Sequence, residues 1–414
     1  MTPLCHSTPG ARSRPACELA DIVRRYGPAY RDARRLPLAH LKVLRAIETC
    51  RTAALGGHRE SCAQCGFERL AYNSCRNRHC PKCQSLVKAQ WLEQRRAELL
   101  PVPYFHNVFT LPHELNPLIL CHEKNQRAIL NLLFQAAAQT LLEFGRNNLG
   151  GTLGATMVLH TWDQQLRAHF HVHCLIPGGV LASDRQSWRP AHGRYLFPVR
   201  ALSKVFRGKF LDGLRQLHDE ERLVLPAALA TVAPLADVEY FRAWLSRLRR
   251  KSWVVYCKAP FAGPEKLLDY LGRYTQRVAL SNHRLLSCDD GQVRFHYRDR
   301  ADGDQQKIAV LPAHEFIRRF LQHVLPSGLQ RIRHYGLLAS RGKGKLLPRC
   351  RELLQAPAVK PVDKKSTAEW LQQLLGLDIT RCPQCGHTPL QRTKVPPLRV
   401  PSPLLHSKPA DDTS

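Results

Sequence analysis

Acidic residues are scarce in this chain: among 414 residues, 33 Asp plus Glu face 62 Lys plus Arg, a formal net charge of +29. A protein so basic repels itself unless a polyanion neutralises it, which makes nucleic acid the leading partner. The surplus runs along most of the chain and not in one tail. Composition alone leaves a ribosome-associated or membrane-surface protein as the alternatives. Long apolar runs are missing too. The opening residues MTPLCHSTPGARSRPACELADIV hold no apolar core ahead of a cleavage site, which reads against a secretory leader. The most apolar stretch, 128–144, is broken by Asn131, Gln135, Gln139 and Glu143 at every fourth position. That spacing draws a polar stripe along one helix face and predicts an amphipathic helix instead of a membrane span. No internal repeat is visible. The expectation is a cytoplasmic, nucleoid-associated protein with no membrane partner.

Hydrophobic residues make up 44% of the chain, enough for a buried core and more than one domain. The fifteen cysteines point to metal binding more readily than to disulfides. Their densest block runs His58-Arg-Glu-Ser-Cys62-Ala-Gln-Cys65 and then Cys75-Arg-Asn-Arg-His79-Cys80-Pro-Lys-Cys83. Two Cys-x2-Cys knuckles separated by fourteen residues have the spacing of a structural zinc site, each turn presenting two thiolates. Cys62, Cys65, Cys80 and Cys83 are the simplest ligand set, with Cys75, His79 and His58 as substitutes or members of a second site. Arg76, Arg78, Lys82 and Lys88 crowd the block and are candidate phosphate contacts, the alternative being a solvated basic face. A further pair, Cys382-Pro-Gln-Cys385-Gly-His387, supplies two ligands, with His387 or Cys350 as helpers if a metal binds there.

The pattern along the chain predicts a basic, partly helical segment at 1–57, with Leu38, Leu41, Leu44 and Ile47 on one face after Pro37. A zinc-binding domain at 58–95 follows, then a mixed domain at 96–340, and a basic, partly disordered tail at 341–414. A helix is expected at SLVKAQWLEQRRAELL, a strand at YFHNVFTLP, one or two helices over 116–144, and neighbouring strands at ATMVLHTW and HVHCLIPGGVL. Helices near 201–218 and 238–250, a strand at SWVVYCK, a helix from about 265, and strands at VRFHYRD and QKIAVL complete the pattern. Elements of both kinds argue for an α+β or α/β layered domain. TKVPPLRVPSPLLHSKPADDTS reads as disordered.

Two constellations carry chemistry. In His160-Thr-Trp-Asp163 and His169-Phe-His171-Val-His173, strand alternation puts His169, His171 and His173 on one face and Phe170 and Val172 in the core. Imidazoles so placed can converge on one divalent ion, and His160 lies where an antiparallel neighbour brings it alongside. The competing reading is the polar face of an edge strand. In Tyr270-Leu-Gly-Arg273-Tyr274-Thr-Gln-Arg277, two phenols four residues apart share a helix side within a collar of arginines. Against this stands an ordinary apolar stripe of Leu267, Tyr270, Leu271, Tyr274 and Val278. Together the two are informative. A phenol of pKa about 10 needs cationic help to become a nucleophile, and a His-bound metal with Arg nearby supplies it.

The stretches YNSCRNRHCPKCQ, LHTW with HFHVHCLIPGG, and YLGRYTQRVALSNHRL resemble the two-tyrosine, HUH-type rolling-circle transposases of bacterial insertion sequences, where U is a hydrophobic residue. The resemblance covers roughly 20–340 and implies an N-terminal zinc-binding domain followed by an antiparallel-sheet nuclease core flanked by helices. It implies His171 and His173 as the HUH pair, His160 as a third ligand, and Tyr270 and Tyr274 as nucleophiles forming a 5′-phosphotyrosine. HFH at 169–171 also fits the letters, and Phe170 stands where the family usually has proline. Expected cofactors are structural Zn²⁺ and catalytic Mg²⁺ or Mn²⁺. The expected partner is DNA, as single-stranded or hairpin ends of the element, contacted by Arg273, Arg277, Arg76, Arg78 and Lys82, with no small-molecule substrate. A plasmid relaxase or replication initiator is disfavoured by the zinc block and the lack of a helicase motif. A non-catalytic zinc-dependent DNA-binding protein is the alternative of a different class. A zinc hydrolase would lack an HExxH motif.

Overall fold

The computed structural model describes residues 15–193, 196–258, 272, 280–358 and 365–398. The N-terminal segment forms α1 (Leu19–Asp32) and α2 (Leu38–Thr49), with Pro37 directly ahead of α2. Leu44 and Ile47 are buried together with Val43, whereas Leu38 is exposed, so the packed stripe lies slightly round from the expected one. A hairpin of β1 (Gly57–Ser61) and β2 (Glu68–Tyr72) leads to α3 (Gln84–Ala97), which ends ahead of Pro101. Then come β3 (Tyr104–Thr110), α4 (Asn116–Leu120) and α5 (Glu123–Leu149). Along α5 the polar positions Asn131, Gln135 and Gln139 face solvent while their neighbours are buried. No helix of the described residues is long and apolar enough to cross a membrane.

After β4 (Gly151–Thr152), the strands β5 (Gly154–Trp162) and β6 (Ala168–Pro177) form the expected antiparallel pair. They are followed by β7 (Gly179–Ala182), β8 (Trp188–Pro190), α6 (Val199–Asp219), α7 (Val238–Arg250) and β9 (Val255–Lys258). Next are β10 (Leu285–Ser287), β11 (Gln292–Asp299), β12 (Gln305–Pro312), α8 (Ala313–Leu321), β13 (Ile332–Gly336) and α9 (Ser340–Leu353). Last are α10 (Thr367–Leu375) and β14 (Gln391–Val395). The strand β14 takes in Thr393, Lys394 and Val395, which the sequence assigns to a disordered tail. It is ordered because it pairs with β1, more than 300 residues earlier (57–61 with 391–395).

The architecture is α+β. A five-stranded sheet in the order β13-β5-β6-β3-β9, antiparallel throughout, packs one face against α5, α6 and α7. Phe170, Val172 and Ile176 of β6 enter that core. Burying three such side chains is worth roughly 5–9 kcal/mol, which sets which face of β6 turns inward. The histidines therefore occupy the opposite face. A second core joins α1 and α2 to β10, β11 and α8, so the N-terminal helices share their interior with residues 280–324.

His323 fastens this second core to the central sheet. Its Nδ1 lies 3.1 Å from Thr161 Oγ1 and its Nε2 3.1 Å from the Leu166 carbonyl. Burial lowers its pKa to about 4. An unfolded imidazole titrates near pH 6.5, so between about 6.5 and 4 the unfolded chain holds the extra proton and stability falls as pH falls. The expected loss from this group is up to about 3 kcal/mol by pH 4. Urea unfolding of the wild type and His323→Gln across this range should show the shallower pH slope in the variant; equal slopes would mean that His323 is not held neutral by the fold.

Candidate functional site

Strand register assembles the histidines. His160 on β5 stands directly opposite His171 on β6, and a bulge separates this pair from Trp162 and Ala168. One ring nitrogen from each of His160, His171 and His173 lies within 4.8 Å of the other two, and all three residues are buried. His171 Nε2 and His173 Nε2 are 3.1 Å apart. Two ligands of an octahedral ion at about 2.1 Å and right angles lie about 3.0 Å apart, so this separation suits a shared cation. His171 Nδ1 sits 3.0 Å from the His169 carbonyl. With the proton on Nδ1 donated there, the Nε2 lone pair points to the centre. Burial is the main force on the titration of all three. It holds His171 at about 3 and His160 and His173 well below the usual value, leaving the neutral, ligating form. His169 is exposed and lies outside the trio, although its ring centroid is 4.7 Å from that of His171.

His106, on β3, escaped the sequence reading. Its Nε2 is 2.8 Å from His173 Nδ1, and the two rings stack 5.0 Å apart. The tautomer that frees His173 Nε2 for a cation donates Nδ1–H to His106, an orienting contact typical of metal sites. The available signal was a histidine within an apolar strand, and nothing local distinguished it from a packed one. His160 is stacked in turn on Trp162, with centroids 5.0 Å apart.

These residues floor a cavity of about 780 Å³. Its rim carries Arg167, Lys258, Arg298 and Arg300, the last two from the tip of the β11–β12 hairpin. Tyr270, Arg273, Tyr274 and Arg277 lie outside the described residues. Gly272 is described: it is helical, buried, and directly against Leu92 of α3. Leu92 packs on Leu175, which shares a face of β6 with His171 and His173.

The cysteines form two clusters, and neither is the simplest set. Cys50, Cys75, Cys80 and Cys83 are brought together, as are Cys62, Cys65, Cys382 and Cys385. The simplest set of Cys62, Cys65, Cys80 and Cys83 is thus divided. The physical reason is the β1–β2 hairpin: Cys62 and Cys65 sit at its tip, while Cys75 and Cys50 flank its base. Five residues of strand hold the two ends roughly 15 Å apart. Cys50 was missed because it belongs to no knuckle. His79 is buried outside the cluster, its Nδ1 3.1 Å from Asn77 Oδ1, and His58 lies within β1. His387 and Cys350 stand outside both clusters. Among the basic residues of this block, Arg76 is exposed, Lys82 is ion-paired with Glu18, and Arg78 points to the carbonyls of Leu325 and Leu329.

In the first cluster Cys83 Sγ lies 3.5 Å from Cys50 Sγ and 3.6 Å from Cys75 Sγ. That is too far for a disulfide and close to the edge of a tetrathiolate zinc site. Neighbouring thiols lower the pKa of Cys83, the contact with Cys50 first, and of Cys50, the contact with Cys75 first, while Cys75 and Cys80 are raised, so the cluster favours thiolate on two of its four sulfurs.

Comparison with known proteins bears on both halves. Residues 22–111 match the family model described as "Transposase zinc-binding domain", and residues 154–345 match that described as "Putative transposase". A protein named "Putative transposase y4qJ" from Sinorhizobium fredii is 47% identical over 381 residues, covering 91% of this chain and 94% of that one. The transposase for insertion sequence element IS801 of Pseudomonas savastanoi pv. phaseolicola is 29% identical, covering 81% of this chain and 79% of that one. No solved structure matches. An α+β core with a cysteine-bound N-terminal domain is thus, at the level of class, a DNA-acting enzyme with structural zinc. The chain belongs to the IS91/IS801 family of insertion-sequence transposases. The cluster of Cys50, Cys75, Cys80 and Cys83 lies wholly within the matched zinc-binding domain.

Removal of the orienting contact should be measurable. If the three imidazoles hold a divalent cation, His106→Ala is expected to weaken Mn²⁺ binding about 10–100-fold. Titration calorimetry on the folded variant checks this, and unchanged affinity would show that His106 does not position His173.

Proposed function

We propose that this transposase nicks and rejoins single-stranded DNA at the ends of its own insertion sequence by tyrosine attack, with a covalent 5′-phosphotyrosine conserving the bond energy. The observation that carries the reading is the convergence of three neutral, buried imidazoles on the floor of a cavity with a cationic rim. Gly272, between the two tyrosines in sequence, lies against a side chain packed on the histidine face, which supports placing the nucleophiles there.

His160, His171 and His173 would hold Mg²⁺ or Mn²⁺, and the donor set fits: the lone pairs are neutral and the 3.1 Å separation is that of adjacent ligands. Bound there, the ion supplies Lewis-acid polarisation of the scissile phosphate. Arg167, Arg298 and Arg300 bind the neighbouring phosphates and hold the strand across the cavity. The phenolic oxygen of Tyr270 or Tyr274, on losing its proton, forms a bond to phosphorus. The bond from phosphorus to the 3′ oxygen breaks, and that oxygen takes up a proton to become a free 3′ hydroxyl. Attack by a 3′ hydroxyl on the phosphotyrosine reverses the step and reseals DNA without ATP. With two tyrosines, one can hold an end while the other cuts again. Arg273 and Arg277 would favour the phenolates, and Arg76 would add a DNA contact from the zinc-binding domain. The four thiols of Cys50, Cys75, Cys80 and Cys83 would hold the zinc that gives this domain its shape. Such a protein works in the cytoplasm, at the nucleoid.

The decisive test mixes the full chain with labelled single-stranded oligonucleotides covering the element's ends, with and without Mg²⁺ or Mn²⁺, on denaturing gels. A metal-dependent covalent adduct is expected, lost in the double variant Tyr270→Phe with Tyr274→Phe and reduced at least about 100-fold in His171→Ala. Intact salt-sensitive DNA binding without an adduct on any end sequence would replace the proposal with a non-catalytic DNA-binding role.

A further inference from the structure

The cluster formed by Cys62, Cys65, Cys382 and Cys385 draws on two chain segments some 320 residues apart (62 and 382), and the second lies beyond both matched regions, 22–111 and 154–345. The two segments have the same local geometry. In one, Cys62 N–H donates to Phe67 O at 2.9 Å and Gly66 N–H to Cys62 O at 3.0 Å. In the other, Cys382 N–H donates to His387 O at 2.9 Å and Gly386 N–H to Cys382 O at 2.9 Å. Gly66 and Gly386 both turn with positive φ, 68° and 73°, and a β-carbon at either would meet nothing within 4 Å. Glycine is therefore required there by the left-handed turn and not by crowding. Both are Cys-x2-Cys-Gly knuckles facing each other.

The thiols interleave. Cys62 Sγ is 3.6 Å from Cys385 Sγ, and Cys65 Sγ is 3.5 Å from Cys382 Sγ. A disulfide needs about 2.05 Å. Four sulfurs about 2.3 Å from a central zinc stand about 3.8 Å apart, close to what is seen. Among the described residues, the apolar packing around them is only Leu390 and Phe67, beside the cysteines themselves. So small a core does not hold two remote loops together unaided. Strand pairing and ion pairs make up more of the junction: β14 adds to β1 over five residue pairs, Gly57↔Val395 to Ser61↔Gln391. Glu60, buried between them, is ion-paired to both Arg69 and Arg392.

We propose that Cys62, Cys65, Cys382 and Cys385 bind a second structural zinc that clips the C-terminal ribbon onto the N-terminal zinc-binding domain. The zinc closes a loop of some 320 residues (62 to 382), and its binding energy adds to the strand pairing and the Glu60–Arg392 ion pair in docking β14 onto β1. This inference stands apart from the tyrosine chemistry and survives if that reading fails.

Metal analysis of the full chain tests it. Purified wild type should carry two zinc ions per chain. Cys382→Ser with Cys385→Ser should carry one, and adding Cys62→Ser and Cys65→Ser to that pair should lower the count no further. Cys75→Ser with Cys80→Ser should remove the other ion. As a guard against simple misfolding, Cys385→His, which preserves four ligands, should retain two. Amide exchange at 391–395 should be protected in the wild type and in Cys385→His, and rise to unfolded rates in the double serine variant. One zinc per chain in the wild type, or two that persist in Cys382→Ser with Cys385→Ser, would overturn the proposal.

Discussion

The pairing of β5 with β6 places His160 opposite His171, sends Phe170, Val172 and Ile176 into the helical side of the sheet, and leaves the imidazoles on the other face. A slip of one residue would exchange the faces, burying histidines among phenylalanines and turning apolar side chains to the cavity. The register is thus held by hydrophobic burial remote from any chemistry, and the site inherits it. β3 completes the arrangement from the other side of β6 with His106, and β9 borders the same cavity through Lys258.

A different length constraint governs the cysteines. The β1–β2 hairpin is a stiff spacer, so knuckles adjacent in sequence are driven to its opposite ends and must find partners elsewhere. At the base the partner is Cys50, at the end of α2; at the tip it is the knuckle of Cys382 and Cys385. Among the described residues, N-terminal and C-terminal segments are interleaved. The helices α1 and α2 share a core with residues 280–324, and β14 extends the sheet of β1 and β2. The N-terminal region is therefore built against the body of the enzyme.

The large positive charge is divided by its surroundings. Lys82 and Arg78 are engaged within the protein, and Arg331 is buried over the Trp162 ring, where loss of solvation brings its pKa down to about 10. At the cavity rim, Arg167 and Arg298 pair with Asp163 and Asp304 but remain largely exposed, about 64% and 62%. Exposed pairs are worth at most about 1 kcal/mol. A phosphate can therefore replace the aspartate at little cost, whereas the buried cations are not available to DNA.

What the sequence determined alone was whatever depends on short-range periodicity and composition. Strand alternation marked His171 and His173 as sharing a face, the four-residue polar rhythm of 128–144 marked an amphipathic helix, and Cys-x2-Cys spacing marked metal knuckles. The charge surplus pointed to nucleic acid. The tertiary structure decided which remote pieces meet: His106 beside His173, Cys50 with Cys75, Cys80 and Cys83, and the C-terminal knuckle with the N-terminal one. It also made a strand of the stretch at 391–395, because that segment's backbone finds its hydrogen bonds only on the edge of β1. These were illegible for one physical reason. Pairings across hundreds of residues are set by burial and by the rigid length of intervening elements, and neither leaves a local pattern in the chain.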